Sequence, residues 1–206
     1  MMPELSGYGL INLNDMLQEV GEDKLKIILS SYLCPYNQDI EYFLNEKAIE
    51  FSKQRIAATH LVFTSYKSEP VLIGYFTLAN KYIFIHQKVF SKSKTLKKRI
   101  AKFGMRQETG YSLGTPLIAQ LGKNYTNDYN TLITGDELLS MAIAKVKQIQ
   151  DDIGGKFVYL ECEDVEKLTD FYSSNGFINF GRRDLDPDEK GRMSGTYLIQ
   201  MLRYIH

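Results

Sequence analysis

The chain has 206 residues, of which 44% are hydrophobic and 24% are charged, and its formal net charge at pH 7 is zero. This composition is ordinary for a soluble globular protein, and a zero net charge gives no general attraction to nucleic acid or to a membrane surface. The two cysteines fit no metal-binding spacing and no apolar run approaches the ~18 residues of a membrane span, so we expect a cytoplasmic protein with reduced thiols and no resident metal.

The first half of the chain predicts helices followed by a β-hairpin. After a weakly patterned lead-in, apolar residues at helical spacing between Leu13 and Tyr32 predict a helical segment that is interrupted near Gly21. Asp39 is the predicted N-cap of the next helix. Two runs rich in β-branched and aromatic residues, 58–64 and 71–78, then predict an antiparallel hairpin.

Residues 88–106 form a strongly biased segment with many basic residues and no acidic one. Leu96, Ile100 and Phe103 lie at helical spacing within it, so the pattern predicts a short basic amphipathic helix. Such a run is most often a solvated face of the protein. The alternative is a patch that faces phosphate groups, either of RNA or of a nucleotide-like cofactor.

A well-marked helix start follows the predicted strand over 111–121 and a polar loop. Thr134 and Glu137 have the spacing of a capping box, in which each side chain accepts a hydrogen bond from the other residue's backbone N–H. Gly135 follows in the first turn, where glycine lowers helix propensity but lets a ligand approach unpaired amide groups. The stretch predicts either an anion site or a strand–loop–helix connection without a ligand.

The second half of the chain predicts a strand, a helix and a final pair of strands. The nearly apolar run 156–162 predicts a central strand, and Asp164 is the predicted N-cap of a helix that contains Tyr172. Two further strands are predicted over 177–180 and 196–204, separated by a polar connection rich in turn residues.

The order of these elements predicts the fold class. We expect an α+β fold whose mixed, mostly antiparallel central sheet is flanked by helices and contains one parallel strand–helix–strand unit. A single domain is predicted over residues 1–206, with a helical N-terminal extension over 1–36 and a basic insert over 86–108. The exposed C-terminal hairpin offers an edge through which two copies could pair as a homodimer.

The segment Leu168-Thr-Asp-Phe-Tyr-Ser-Ser-Asn-Gly-Phe177, followed by Gly181-Arg182-Arg183, resembles the L-x-x-F-Y-x-x-x-G-F signature of the GNAT (Gcn5-related N-acetyltransferase) superfamily. Upstream, Gly135 and the helix behind it match the end of the superfamily's R/Q-x-x-G-x-G/A acetyl-CoA motif. The order of elements also fits over residues 37–206. The resemblance therefore implies a GNAT-like acyl-CoA N-acyltransferase fold.

The acetyl-CoA motif of this chain departs from the superfamily pattern. Aligning Gly135 with the last glycine places Asn130 where Arg or Gln is usual and Ile133 where the first glycine is usual. The loop 123–134 is also longer than the common form. An Asn that often lies seven residues before the helix tyrosine is Val165 here.

The resemblance implies an N-acetyltransferase that uses acetyl-CoA as cosubstrate and a primary amine as acceptor. Backbone amides of the loop and helix start would then hold the pyrophosphate, and Lys123 would add positive charge. The edge of the strand, at Leu117, Ala119 and Leu121, would pair with the pantetheine arm. The residues assigned to the pyrophosphate are Asn130, Ile133, Thr134, Gly135, Asp136 and Glu137, with the two carboxylates facing away from it.

Two proton transfers accompany acetyl transfer to an amine. The resemblance implies that Tyr172 acts as general acid towards the leaving thiolate, since a phenol is protonated at neutral pH; the alternative is a core aromatic residue. The general base has several candidates. They are Glu161, which is the assigned residue, and as alternatives Glu163, His86, Glu108 or a water relay. His60 and His86 are otherwise expected to be structural.

The sequence is also compatible with two alternative functions. One is an RNA-engaging GNAT protein that uses the 88–106 segment, in the manner of bacterial GNAT toxins that acetylate the amino group of charged tRNA. The other is a GNAT fold that binds a ligand without catalysis. The acceptor is not identified by sequence, because acceptor sites in this fold come from variable loops, which here are the N-terminal region, 86–108 and 184–195.

Overall fold

The structure of the protein is a computed structural model that describes residues 7–92, 94–187, 189–193 and 195–206, without the side chains of 90–92. Three sequence predictions fall partly outside the described residues. They concern the first six positions of the N-terminal extension, the Lys92 side chain and position 93 of the basic segment, and two positions of the 184–195 loop.

The described residues form eight strands and seven α-helices. The strands are β1 (Tyr8–Asn12), β2 (Ala57–Tyr66), β3 (Glu69–His86), β4 (Met105–Gln107), β5 (Gly110–Lys123), β6 (Phe157–Glu163), β7 (Ile178–Asp184) and β8 (Tyr197–Tyr204). The helices are α1 (Leu13–Val20), α2 (Glu22–Leu29), α3 (Gln38–Tyr42), α4 (Ala48–Lys53), α5 (Lys94–Phe103), α6 (Gly135–Ile153) and α7 (Glu166–Ser174).

The strands form a mixed, mostly antiparallel sheet in the order β1-β2-β3-β5-β6-β8-β7, with β4 paired to β5. Strands β5 and β6 are parallel and are joined through α6, as the sequence predicts. The recorded parallel pairs are Leu117 with Tyr159 and Ile118 with Leu160. The predicted α+β class is therefore confirmed.

The described residues fall into two compact units. One contains the residues up to Ala79 together with Ala119–Ala142, and the other contains Asn80–Ile118 and Ile143–His206. Strands β3 and β5 and helix α6 contribute residues to both units. The prediction of a single domain with an N-terminal extension and a basic insert is not tested by this division and stays a prediction.

The first unit packs α1 and α2 against the β2–β3 hairpin through a core that includes Leu13, Leu25, Leu61 and Tyr75, each with no exposed surface. The hairpin turns at Lys67 and Ser68, which both have positive φ values. Such values are typical of the two-residue turn that matches the twist of a hairpin. Strand β1, in the stretch without a clear sequence pattern, pairs antiparallel with β2.

The predicted N-cap at Asp39 is wrong by two positions. Asn37 has the extended backbone of a cap, and its side-chain oxygen accepts hydrogen bonds from the N–H groups of Asp39 at 3.0 Å and Ile40 at 3.2 Å. Asp39 lies in the first turn of α3, is buried, and accepts a hydrogen bond from Gln120 Nε2 at 2.9 Å. A distant partner in the chain, which local spacing does not reveal, accounts for this carboxylate.

The second unit has its own core, in which Ile100 of α5 packs with Ile85, Tyr159 and Leu202. Leu96 and Phe103 pack beside Ile100, so the basic segment does form the predicted amphipathic helix. Strand β6 lies between β5 and β8 and is central, as predicted.

The predicted N-cap at Asp164 is also wrong. Val165 occupies the cap position of α7 without a side-chain hydrogen bond to the helix. The Asp164 carboxylate instead accepts a hydrogen bond from the Tyr197 hydroxyl at 2.6 Å. No helix in the described part of the chain has the length and apolar character needed to cross a membrane.

Candidate functional site

Helix α6 begins with the capping box that the sequence predicts. Thr134 Oγ1 accepts a hydrogen bond from the Glu137 N–H at 3.1 Å, and Glu137 Oε2 accepts one from the Thr134 N–H at 2.8 Å. The Thr134 hydroxyl also donates to Glu137 Oε2 at 2.7 Å. The first helical residue is therefore fixed at Gly135.

The Glu137 carboxylate is committed to this cap. Hydrogen bonds from the Thr134 backbone and side chain lower the pKa of Glu137, and the Tyr8 hydroxyl, 3.2 Å from Oε1, contributes less. The same Tyr8 hydroxyl donates to the Leu132 carbonyl at 3.1 Å, which ties strand β1 to the loop before the helix. The Glu137 carboxylate therefore contacts Thr134 at the N-terminus of its own helix.

The Gly135 amide is different from its neighbours in the cap. Its N–H has no acceptor among the described residues, whereas the N–H groups of Thr134 and Glu137 are used by the capping box. The first N–H groups of a helix have no partner within the helix and lie at the positive end of its dipole. The Gly135 amide is thus a hydrogen-bond donor suited to an anion.

The loop before α6 is more ordered than the sequence suggests. Residues Thr126–Leu132 form 3₁₀ turns that include Asn127 and Asp128 with positive φ values. Lys123 Nζ donates to the Asn130 carbonyl at 2.9 Å, which joins the two ends of the loop. The charge of Lys123 is therefore fixed next to Asn130. Ile133, the residue in place of the usual first glycine, is buried.

Asn124 anchors this loop, and sequence reasoning missed it. Its side-chain amide is buried; Nδ2 donates to the Leu72 carbonyl at 2.8 Å, while Oδ1 accepts from the N–H groups of Leu33 and Thr126, both at 3.1 Å. The Asn124 N–H donates to the Ile73 carbonyl at 2.8 Å. A polar residue in the loop that follows the predicted strand was the available signal, but its partners Leu72 and Leu33 lie far away in sequence.

The three strand positions assigned to the pantetheine arm lie on one side of β5, and of the two residues between them Ile118 is buried and Gln120 is half-buried. Ala119 is exposed, Leu117 and Leu121 are half-buried, and Ile118 between them is 4% exposed. This alternation is the ordinary side-chain period of a strand. It places the three predicted positions on the more accessible side of β5.

Tyr172 lies in the second unit, buried on α7 between the rings of Phe171 and Phe177. Burial raises the pKa of its phenol well above the ordinary value, with a smaller effect from Cys162. Its hydroxyl makes no hydrogen bond to any described residue. Tyr172 is thus a protonated phenol whose donor is not used within the described structure.

Cys162, on the adjacent strand β6, is a free thiol. Burial raises the pKa of this thiol to about 11, with smaller contributions from Asp164 and Glu163. Its Sγ contacts Met201 Sδ at 3.8 Å. At neutral pH the thiol is protonated, and it adds no negative charge beside Tyr172.

Glu161 is placed in an ionic cluster that the sequence did not predict. Arg183 Nε donates to both of its oxygens at 2.9 Å, and Arg183 Nη2 donates to Oε2 at 2.6 Å. The Tyr159 hydroxyl donates to Oε1. Arg183 also binds Glu189, with Nη1 to Oε2 and Nη2 to Oε1 both at 2.7 Å. Arg183 Nη1 also lies 3.4 Å from Asp186 Oδ2, so one guanidinium contacts three carboxylates.

The alternative bases lie in varied surroundings. His86 Nδ1 accepts a hydrogen bond from the Lys88 N–H at 3.1 Å, and Glu108 is exposed next to β4. His60 is buried in the first unit and stacks on Phe76 with ring centroids 5.0 Å apart. A structural role for His60 agrees with this packing.

The structure brings together the predicted loop and helix-start residues within the first unit. Lys123 contacts Asn130, and Thr134 contacts Glu137 on either side of Gly135. Tyr172 and Glu161 both belong to the second unit and lie on α7 and β6. The assignment of these residues to a cofactor and to catalysis stays a prediction.

The chain matches no protein-family model and no curated protein. Its mixed sheet, with a parallel strand–helix–strand unit and a capped helix behind it, has the GNAT fold. This confirms the fold that the resemblance implied.

Several solved structures share this fold over nearly the whole chain. A tyrosine-to-phenylalanine mutant of KacT has a TM-score of 0.62 and 16% identity, covering 95% of this chain and 94% of that one. AtaT complexed with acetyl-methionyl-tRNAfMet has a TM-score of 0.60 and 14% identity, covering 93% of each chain. AtaTR bound with AcCoA has a TM-score of 0.56 and 16% identity, covering 95% of this chain and 94% of that one.

Proposed function

We propose that this protein is an acetyl-CoA-dependent N-acetyltransferase whose acceptor is the α-amino group of an aminoacyl-tRNA. The observation that carries the proposal is the likeness of its fold to AtaT in complex with acetyl-methionyl-tRNAfMet over 93% of each chain. The basic helix α5 supports an RNA acceptor, because its lysines and arginine are not balanced by any acidic residue in the same segment.

Acetyl-CoA is the cosubstrate in this proposal, and a structure of AtaTR with AcCoA has the same fold. The pyrophosphate would accept hydrogen bonds from the amides at the start of α6, first of all from Gly135, with the helix dipole adding to the attraction. Lys123 would add charge from its position at the Asn130 carbonyl. The pantetheine amides would pair with β5 at Leu117, Ala119 and Leu121 in the manner of an added strand.

The chemistry requires one bond to form and one to break. The neutral amine attacks the thioester carbonyl carbon, the C–N bond forms, and the C–S bond breaks to release CoA as a thiolate. We assign the proton that the thiolate takes up to Tyr172, whose hydroxyl is protonated and has no acceptor among the described residues.

The amine must lose a proton, and the cluster around Glu161 affects how this happens. Both oxygens of Glu161 are already engaged by Arg183 and Tyr159, which leaves them poorly placed to accept a proton directly. A water relay fits this geometry better than direct transfer to the carboxylate. Replacing Glu161 with Gln tests whether Glu161 is the general base. If a water relay that does not involve Glu161 deprotonates the amine, the variant keeps most of the wild-type kcat for acetyl transfer.

The test is transfer of radiolabel from [¹⁴C]acetyl-CoA to charged tRNA, with deacylated tRNA and the free amino acid as controls. We expect acid-precipitable label only with charged tRNA, and its release as an N-acetyl amino acid after mild alkali, which cleaves the ester. Label that stays on the RNA after alkali, or that appears on deacylated tRNA, rejects the aminoacyl acceptor. Stabilisation by acetyl-CoA without transfer to any amine would instead indicate a binding protein.

A further inference from the structure

A cavity of about 500 Å³ lies in the second unit, where the start of α5, the second half of α6, the turn after α7 and the end of β8 meet. Among these elements, only α5 lies in the segment that the sequence marks as strongly basic. Every residue that lines the cavity belongs to the second unit, so the cavity does not depend on the loop before α6.

The charged side chains that line this cavity all have one sign. Three cationic side chains line it, namely Arg99, Lys147 and Arg203, and no Asp or Glu side chain does. None of the three makes an ion pair or a hydrogen bond with another residue in the described part of the chain. Arg183, in the same unit, instead binds three carboxylates. Unneutralised cations in a concave site attract anions more strongly than the same charges on a flat surface.

Two of the cations are held against aromatic rings. The Arg99 guanidinium lies 4.3 Å from the ring centroid of Tyr204, and the Arg203 guanidinium lies 6.0 Å from that of Phe177. Stacking on a ring face orients a guanidinium while its N–H groups remain available for two-point hydrogen bonds to a phosphate. The two guanidiniums are therefore oriented to bind a phosphate group at a defined position in the cavity.

The positive charge continues beyond the cavity along α5. Lys97 and Lys98 are exposed on the helix that also carries Arg99, while Ile100 faces the core. The exposed lysines of α5 extend from Lys94 to Lys102, eight residues or about 12 Å along the helix axis, so they extend past the reach of one small anion. A ligand with repeated negative charges can contact both the cavity and the lysines of α5, whereas a single phosphate ion can contact only the cavity.

We propose that the cavity formed by Arg99, Lys147 and Arg203, together with the exposed face of α5, binds the phosphate backbone of RNA. This inference rests on the proposed function, because the RNA in question is the one that carries the acceptor. It goes further by naming the surface that holds the backbone, and by adding Lys147 of α6 and Arg203 of β8 to the basic segment of the sequence.

The chain offers a matched pair of double variants for a test. Lys147→Glu with Arg203→Glu reverses two charges in the cavity. Lys145→Glu with Arg182→Glu makes the same change in net charge on the same helix and the same β7–β8 hairpin, outside the cavity lining. Binding of a fluorescein-labelled, deacylated RNA hairpin is measured by anisotropy between about 50 and 200 mM salt, without acetyl-CoA.

The cavity variant is expected to bind the hairpin at least about tenfold more weakly, with a salt slope reduced by about 2, since each phosphate contact contributes about 0.9. The control variant is expected to change the slope by less than about 1. Equal losses in the two variants would overturn the proposal in favour of a delocalised charge effect. Unchanged RNA binding would also overturn it, and lost binding of labelled hexaglutamate would then assign the cavity to an acidic peptide.

The RNA measurement is independent of acetyl transfer. If the hairpin result is as expected but charged tRNA is not acetylated, the RNA-binding surface is supported. The proposed acetyl transfer to charged tRNA is then wrong. If charged tRNA is acetylated but the cavity variant binds the hairpin like the wild type, the activity stands and this surface is wrong. Far-ultraviolet circular dichroism and melting temperature show that each variant is folded before it is scored.

Discussion

The Thr134 hydroxyl and the Glu137 carboxylate cap helix α6 reciprocally, with Oγ1 and Oε2 2.7 Å apart and each residue's N–H bonded to the other's side chain. Because these bonds fix where the helix begins, they also fix the direction of the Gly135 amide between them. The cap is thus a structural element that controls the proposed pyrophosphate donor without touching the pyrophosphate itself.

Replacing Thr134 with Ala is expected to lower the unfolding free energy by about 1 kcal/mol, because the Glu137 N–H loses its acceptor at the helix start. The same change should weaken acetyl-CoA binding, since the Gly135 amide is no longer held in place. Urea unfolding and isothermal titration calorimetry measure the two effects. Thr134→Ser keeps the hydroxyl and serves as the control; an Ala variant with wild-type affinity would separate the cap from the cofactor.

Replacing Gly135 with Glu is expected to abolish the stabilisation of the protein by acetyl-CoA. The new carboxylate adds a negative charge and bulk at the amide that we assign to the pyrophosphate, whereas a ligand present at about 100 times its Kd otherwise adds about 2.7 kcal/mol to the unfolding free energy. Thermal shift with and without acetyl-CoA measures this. Ser140→Glu adds the same charge to an exposed position of the same helix and should keep the shift.

Equal shifts in the Gly135→Glu variant and the wild type would place the cofactor elsewhere. Loss of the shift in the Ser140→Glu variant as well would indicate a general charge effect on the helix. Only the combination of a lost shift at Gly135 and a retained shift at Ser140 supports the assignment of the Gly135 amide.

Replacing Tyr172 with Phe is expected to lower kcat for acetyl transfer by roughly 10²–10⁴-fold, the usual contribution of a positioned general acid, without changing the affinity for acetyl-CoA. The ring and its packing against Phe171 and Phe177 are retained in this variant. Tyr82→Phe, at a side chain that is 65% exposed in the same unit, serves as the control. An unchanged kcat would leave Tyr172 as a core aromatic residue.

The pH dependence of this reaction gives a second check on Tyr172. Burial raises the pKa of its phenol above the ordinary value of 10.0. The Tyr172 hydroxyl is therefore protonated, and able to donate a proton, at every pH up to 10. We therefore expect no alkaline fall in kcat from Tyr172 below pH 10. A fall between pH 7 and 9 that disappears in Tyr172→Phe would mean that the pKa of the phenol is lowered in the acetyl-CoA complex.

Local spacing predicted those features whose partners are close in the sequence. Thr134 and Glu137 are three residues apart, and the two strands of the β2–β3 hairpin are neighbours in the chain, so both features were visible in the sequence. The turn between the strands is shorter than predicted, because β2 extends to Tyr66 and β3 begins at Glu69 instead of leaving residues 65–70 as the turn. The N-caps at Asp39 and Asp164 were wrong, because each carboxylate is bound by a side chain from a distant segment, Gln120 and Tyr197 respectively.

The parts of the site that sequence could not predict depend on long-range pairing. Asn124 anchors the loop through Leu72, 52 positions away. Arg183 lies in a segment that the sequence marked only as a match to a family pattern, yet it binds Glu161, 22 positions earlier. A single sequence contains no signal for such pairs, because any of several acidic residues could satisfy an arginine until the strand order is known.

Replacing Arg183 with Met is expected to lower the unfolding free energy at pH 7 by about 3 kcal/mol. The change leaves Glu161 and Glu189, whose side chains are 11% and 19% exposed, without their shared cation, and breaking such a pair from one side is strongly destabilising. Lys26→Met is the control. It breaks an ion pair whose side chains are 58% and 37% exposed and should cost less than about 1 kcal/mol.

The same variant should change how stability depends on pH. Hydrogen bonds from Arg183 lower the pKa of Glu189, so in the wild type the unfolded state binds more protons, and the stabilisation present above pH 4.5 is lost as the pH falls below that value. Without Arg183, Glu189 loses the hydrogen bonds that lower its pKa, and its charge and that of Glu161 repel each other until acid protonates Glu189. Urea unfolding from pH 7 to 3 should therefore show stability falling in the wild type and rising first in Arg183→Met; parallel curves would mean that this cluster does not couple protonation to folding.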